Sequence, residues 1–345
     1  MKRRNVVMQG GAAIALAAAL AFASVAQETA QQDPVAEAAV AFLAALADEQ
    51  RDAATFEFDD AERKHWQPVP MGEAGVRFEM LTTAQREKLR ALLATLLSAD
   101  GLATVDGVRL LEGLLVEIER ATGRTSPNHG AERYFVTVFG DPSRAGTWSL
   151  RFEGHHLSLT FTCKRGAWTA HGPLFVGAQP ARVEGGEHDD FRLLGRRDDD
   201  VRALVASFDE EQRAAAVLAD SVPGNVFLVP GEDEGFSDER GLTGARMSAE
   251  QRAALLEALT GWAQLLRPDL AEQELARMRA GLDVTRVVWF GAHEVDAPHY
   301  WRIVGEHFAI EYVAPEFDPN HVHALWRDPT RDFGGDLLRE HLAGE

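Results

Sequence analysis

Polar and apolar positions change rhythm several times along the chain, and each rhythm specifies an element. Leu89, Leu92, Leu93, Leu96 and Leu97 recur at helical spacing, as do Leu255, Leu256, Leu259, Trp262 and Leu266. Thr82, Thr83 and Ser248 stand where helix N-caps are needed, and Gln251 fits a capping box with Ser248. Core-facing helices follow, with further helices over 105–120 and 269–280.

Between 148 and 161 the period falls to two. One face of the predicted hairpin carries Trp148, Leu150, Phe152, Leu157, Leu159 and Phe161. The other carries Ser149, Arg151, Glu153, His156, Ser158 and Thr160. Gly154-His155 reads as a two-residue turn that sets Glu153 opposite His156. A second hairpin, with Gly305-Glu306 as its turn, puts Trp301, Ile303, Phe308, Ile310 and Tyr312 on the apolar face. Tyr300, Arg302, His307 and Glu311 take the polar one. If the segment after Asn320 returns antiparallel, Val322, Ala324 and Trp326 join the apolar face, and His321 and His323 the polar face.

These blocks occur twice, in one order. DEQRDAA near Asp48 answers DEEQRAAA near Asp209, and TAQREKLRALLATLL answers AEQRAALLEALTGWAQLL. The two hairpins align without a gap, pairing Arg151 with Arg302, Gly154 with Gly305 and His156 with His307. The period is too long for a solenoid. The expected fold is therefore α+β and internally duplicated. Each half is a helical segment followed by antiparallel hairpins, with helices on the apolar sheet faces and a pseudo-two-fold relation between halves. Whether the halves share one sheet or face each other stays open. Residues 27–180 form the first half, 181–200 a connector and 201–345 the second half. The spans 56–79 and 222–244, rich in Pro and Gly, read as loops.

Composition adds an address and some exclusions. Lys2, Arg3 and Arg4 precede an uncharged run over 10–23, and Ser24-Val25-Ala26 suits a signal peptidase. Residues 1–26 thus read as a signal peptide, with Arg3-Arg4 hinting at the twin-arginine route, and the mature chain as periplasmic or secreted. The apolar run is short for a membrane span. A net charge of -19 without a basic stripe argues against nucleic acid. The single cysteine, Cys163, excludes an intrachain disulfide and reads as a small strand residue.

Three readings of the polar face remain. His307, Glu311, His321 and His323 could hold a divalent metal such as zinc or copper, as in a metal-dependent hydrolase. Arg151, Glu153, His156 and Arg302 could bind a small acidic or polyhydroxylated ligand in a pocket between the halves. Or the face is a solvated surface of a structural or interaction module. His155, in a turn, and His65, His129, His188, His293 and His341 read as surface groups. Asp332-Phe333-Gly334 has no kinase context, and a short helix is expected over 336–342.

FVTVFGDPSRAGTWSLRFEGHHLSLTF, PHYWRIVGEHFAIEY and NHVHALWRDPTRDFGGDLLREHL together resemble the family called domain of unknown function 3500. The resemblance covers nearly all of the mature chain. It implies an uncharacterised protein, often one with an export signal, and carries over no catalytic residues.

Overall fold

A computed structural model of the protein describes residues 33–66, 74–143, 146–164, 168–230, 236 and 238–335. The expected signal peptide and C-terminal helix lie outside the described residues. The helices are α1 (Pro34–Ala45), α2 (Asp48–Ala54), α3 (Thr83–Ala94), α4 (Ala99–Ala121), α5 (Gly195–Ala206), α6 (Glu210–Ala216), α7 (Ala249–Ala263) and α8 (Pro268–Ala280). The strands are β1 (Thr55–Phe56), β2 (Val76–Arg77), β3 (Tyr134–Phe139), β4 (Thr147–Gly154), β5 (Leu157–Lys164), β6 (Trp168–Ala178), β7 (Val217–Ala219), β8 (Leu242–Thr243), β9 (Arg286–Gly291), β10 (His299–Val304), β11 (Ala309–Ala314) and β12 (Val322–Arg327).

All twelve strands belong to one mostly antiparallel sheet of order β1-β3-β4-β5-β6-β12-β11-β10-β9-β7, with β2 on β3 and β8 on β9. The two hairpins therefore lie side by side and do not face each other. Between them β6 pairs antiparallel with β12, His323 opposite Gly177. The last residues of the span expected as a connector are already helical, since α5 starts at Gly195.

Strand alternation puts Trp148, Leu150, Phe152, Leu159, Trp301, Ile303, Ile310, Tyr312, Val322, Ala324 and Trp326 into one core cluster with the helices. Leu89, Leu92 and Leu93 of α3 and Leu255, Leu259 and Trp262 of α7 supply the helical side of that core. Capping boxes open both helices, with Thr82 and Gln85 on α3 and Ser248 and Gln251 on α7.

The opposite face is not wet. Ser149, Arg151, Glu153, Ser158, Thr160, Arg302 and Glu311 are all buried. Segments from the expected loops and from the residues after β12 cover it, so that Trp66, Val226 and Phe333 pack with Phe175, Tyr300, Val313 and Leu325. Buried polar groups need partners. Most of the polar pairing described below follows from this cover.

Both turns are displaced from the expected positions. In the first hairpin Glu153 pairs with Ser158, so the turn is His155-His156. In the second Val304 pairs with Ala309, so residues 305–308 turn. Gly154 is a strand residue paired with Leu157, and glycine is needed there because a Cβ would lie 2.5 Å from Tyr134 Cδ1. The pairing shifts by two residues, which preserves every face assignment on the strands.

Candidate metal centre

The turn His155-His156 projects from the end of β4 and β5 over the middle of α4. His156 takes a left-handed φ of 62°, and its carbonyl accepts the Gly177 N–H at 2.8 Å. Helix α4, capped by Ser98, carries Glu112 to the turn fully buried. One carboxylate oxygen, Oε1, lies 2.8 Å from His155 Nδ1 and 2.8 Å from His156 Nδ1. The other oxygen accepts the Gly130 N–H at 3.3 Å. Burial alone would push the Glu112 carboxyl up. The hydrogen bonds from both histidines outweigh it and hold the group at about 2. An ionised carboxylate only accepts, so both Nδ1 atoms donate.

On the far side, β12 begins beside β6. His321 precedes the strand and His323 lies on it. His323 Nδ1 is 2.8 Å from Asn225 Oδ1. That atom also accepts the Val226 N–H at 2.8 Å, which identifies it as the amide oxygen. His323 Nδ1 therefore donates as well. The Nε2 atoms of His156 and His323 are left as lone-pair acceptors.

His321 Nε2 sits between them, 2.8 Å from His156 Nε2 and 2.9 Å from His323 Nε2. A neutral imidazole has one N–H. It can satisfy one of the two contacts, and the other then sets lone pair against lone pair. A second ring proton is not to be had. Burial, then the neighbouring histidines, holds His323 at about 2 and His321 at about 4. Burial also holds His156 at about 3 against the pull of Glu112. A cation bound by all three nitrogens removes the conflict, and neutral imidazole is the form that binds metal. His155 offers a further nitrogen, with the ligand atoms of His155, His156 and His321 within 4.8 Å of one another. Glu112 and Asn225 would be the outer partners that fix ring orientation. His155 also lines a small cleft with Arg77, Asn128, Arg133 and Tyr134.

The expected site residues scatter. The structure brings His321 and His323 together but not with His307 or Glu311. His307 sits in the wider turn, half-exposed, 3.7 Å from Glu306. Glu311 faces the covered side and accepts from Phe227 N–H, Leu228 N–H and the Tyr300 hydroxyl at 2.9, 2.6 and 3.0 Å. Arg151 spends its guanidinium on Glu62 O, His65 O, Glu62 Oε1 and Glu153 Oε1, at 2.8, 3.0, 2.5 and 2.8 Å. Arg302 pairs with Asp238. β4 and β10 are five strand steps apart, about 24 Å, so the two arginines share no pocket.

His155 and His129, expected at the surface, are buried and largely buried respectively. His129 Nδ1 lies 2.9 Å from Glu119 Oε1, and its ring stacks on His155 at 4.2 Å. Cys163 lies in the core, its thiol pushed up to about 12 by burial.

Glu311 yields a pH prediction. Burial, against three donors, raises its carboxyl to about 7. The folded state thus holds a proton that the unfolded chain releases near 4.3. The resulting stability is complete below that value and is lost as pH rises through 7. Urea unfolding of Glu311→Gln against wild type between pH 4.5 and 7 should show a flatter profile for the variant. The two slopes should differ by up to about 1.4 kcal/mol per pH unit. Parallel profiles would mean that Glu311 is ionised throughout.

Fold and site together define an α+β protein on one broad sheet, with a buried imidazole cluster at the sheet rim. The chain belongs to the family Protein of unknown function (DUF3500), whose family model matches residues 28–335. No curated protein and no solved structure matches it. Among the described residues no helix is long and apolar enough to cross a membrane.

Proposed function

We propose that this protein is an exported metalloprotein. His156, His321 and His323, with His155 beside them, hold a divalent ion such as zinc or copper, and the bound ion activates water in a metal-dependent hydrolase acting on a small molecule. The observation that carries the metal reading is the pair of Nε2 contacts around His321 that one proton cannot satisfy. Three imidazoles leave a position for water, whose pKa a zinc ion lowers to about 7. Hydroxide held there is a nucleophile for a carbonyl or phosphoryl centre. Export rests on the basic and apolar opening of the chain, 1–26.

The same reading includes descent from a duplicated ancestor. Equivalent registers, Glu153 with Ser158 and Val304 with Ala309, support it. So do the reciprocal amide pairs Gln50–Gln85 and Gln212–Gln251. The metal site then draws on both halves, His155 and His156 from the first and His321 and His323 from the second, and Glu306 and His307 occupy the second turn where the first has His155 and His156.

Metal analysis of protein purified without a His-tag and desalted after loading with zinc or copper tests the proposal. About one equivalent per chain is expected, lost in the double variant His321→Ala, His323→Ala while the circular dichroism spectrum is kept. Wild type that retains no ion, or a double variant that retains it, would defeat the reading.

A further inference from the structure

The separations around His321 also distinguish one coordination geometry from another. Resting on the metal reading above, we infer that the ion is copper(II), held in a tetragonal set of imidazole nitrogens with His321 between His156 and His323. Two ligands on a tetrahedral ion at 2.0–2.1 Å lie about 3.3–3.4 Å apart, because the tetrahedral edge is 1.63 bond lengths. Neighbouring corners of a square plane at the same bond length are about 2.8–3.0 Å apart, since that edge is 1.41 bond lengths. His156 Nε2 to His321 Nε2 is 2.8 Å and His321 Nε2 to His323 Nε2 is 2.9 Å. Both edges fit the square plane, and both are too short for the tetrahedron by about 0.4 Å or more.

Ring orientation agrees. Imidazoles on neighbouring corners of a plane bring the C–H groups beside their donor nitrogens into collision unless the rings are turned against each other. The His156 and His321 rings stand at 72°, and the His321 and His323 rings at 86°. A hydrogen bond from His321 accounts for one short edge and leaves the other unexplained, whereas a planar ion accounts for both. The donors are borderline nitrogen bases with neither thiolate nor thioether among them, which suits copper(II) more than copper(I). Glu112 holds the outer nitrogen of His156 and Asn225 that of His323, so the set is braced from α4 and from the segment around Asn225.

Copper(II) outranks zinc at nearly any nitrogen site, so relative affinity cannot test the geometry. Electron paramagnetic resonance can. Full-length, tag-free, metal-free protein given one equivalent of copper(II) is expected to show an axial spectrum. The parallel copper splitting should be large, with nitrogen splittings from at least three imidazoles. His323→Ala should keep copper and lose one nitrogen from that pattern. Asn225→Ala keeps all the rings and serves if His323→Ala does not fold. It should retain copper with altered splitting. A spectrum with collapsed parallel splitting, as a flattened tetrahedron gives, overturns this inference and leaves the metal reading standing. So does retention of zinc with exclusion of copper. Failure to retain either ion overturns both.

Discussion

Replacing Glu112 with alanine is expected to destabilise the metal-free protein by about 2–6 kcal/mol, because two buried donors lose their only common acceptor at about 1–3 kcal/mol each. The donors are His155 Nδ1–H and His156 Nδ1–H, both 2.8 Å from one carboxylate oxygen. Neither ring can turn to water, since His155 is 7% and His156 1% exposed. Metal affinity should fall about 10–100-fold, the usual loss when the outer partner of a ligating histidine is removed. Glu112→Gln separates the two effects. Its amide oxygen can still accept from both rings, but its amide N–H₂ then confronts the Gly130 N–H that Glu112 Oε2 accepts at 3.3 Å. A smaller stability loss than for alanine follows. Urea unfolding with chelator present, and metal competition on the same samples, measure these quantities. A metal-free Glu112→Ala protein as stable as wild type would show that the carboxylate does not hold the turn.

The contrast between helix, strand and site shows which physical information is local. Helices α3 and α7 were legible because apolar period and caps lie within a dozen residues. The hairpin faces were legible even though both turns were misplaced. Moving the pairing by two residues keeps Arg151 on one side and Phe152 on the other, whereas a shift of one would have exchanged them. His321 and His323 were legible as neighbours through the same alternation.

Their partners were not. Glu112 is one acidic residue in a helix, 44 positions from His156, and nothing in the helical period marks a carboxylate that will meet a turn. Asn225 lies in a Pro- and Gly-rich span and 98 positions from His323. The separate pairing of Arg151 and Arg302 was hidden for a related reason. Arg151 meets Glu62 across 89 positions, so the covering segment that consumes its guanidinium could not be seen from the strand. The one local signal left unused was the dipeptide His155-His156 directly after a strand glycine, which a turn one residue later would have brought together.

Gly177→Ala is expected to weaken metal binding at least tenfold and to destabilise the fold by about 1–3 kcal/mol, although it touches no ligand atom and no charge. A Cβ at Gly177 would lie 2.5 Å from His156 Cδ2 and 2.9 Å from His156 Cγ. The backbone cannot retreat easily, because the Gly177 N–H donates to the His156 carbonyl at 2.8 Å and Gly177 pairs with His323 in the sheet. The imidazole must move instead. Its Nδ1 is tied to Glu112 and its Nε2 lies 2.8 Å from His321 Nε2, so any rotation breaks one contact or the other. The methyl acts on geometry alone, and loss of metal here separates a preorganised centre from a loose cluster of basic groups. A loose cluster would re-form around the methyl and bind as before. Metal competition beside urea unfolding of the metal-free variant decides it: unchanged affinity in a protein that has lost stability would mean that ring placement by Gly177 does not matter to the ion.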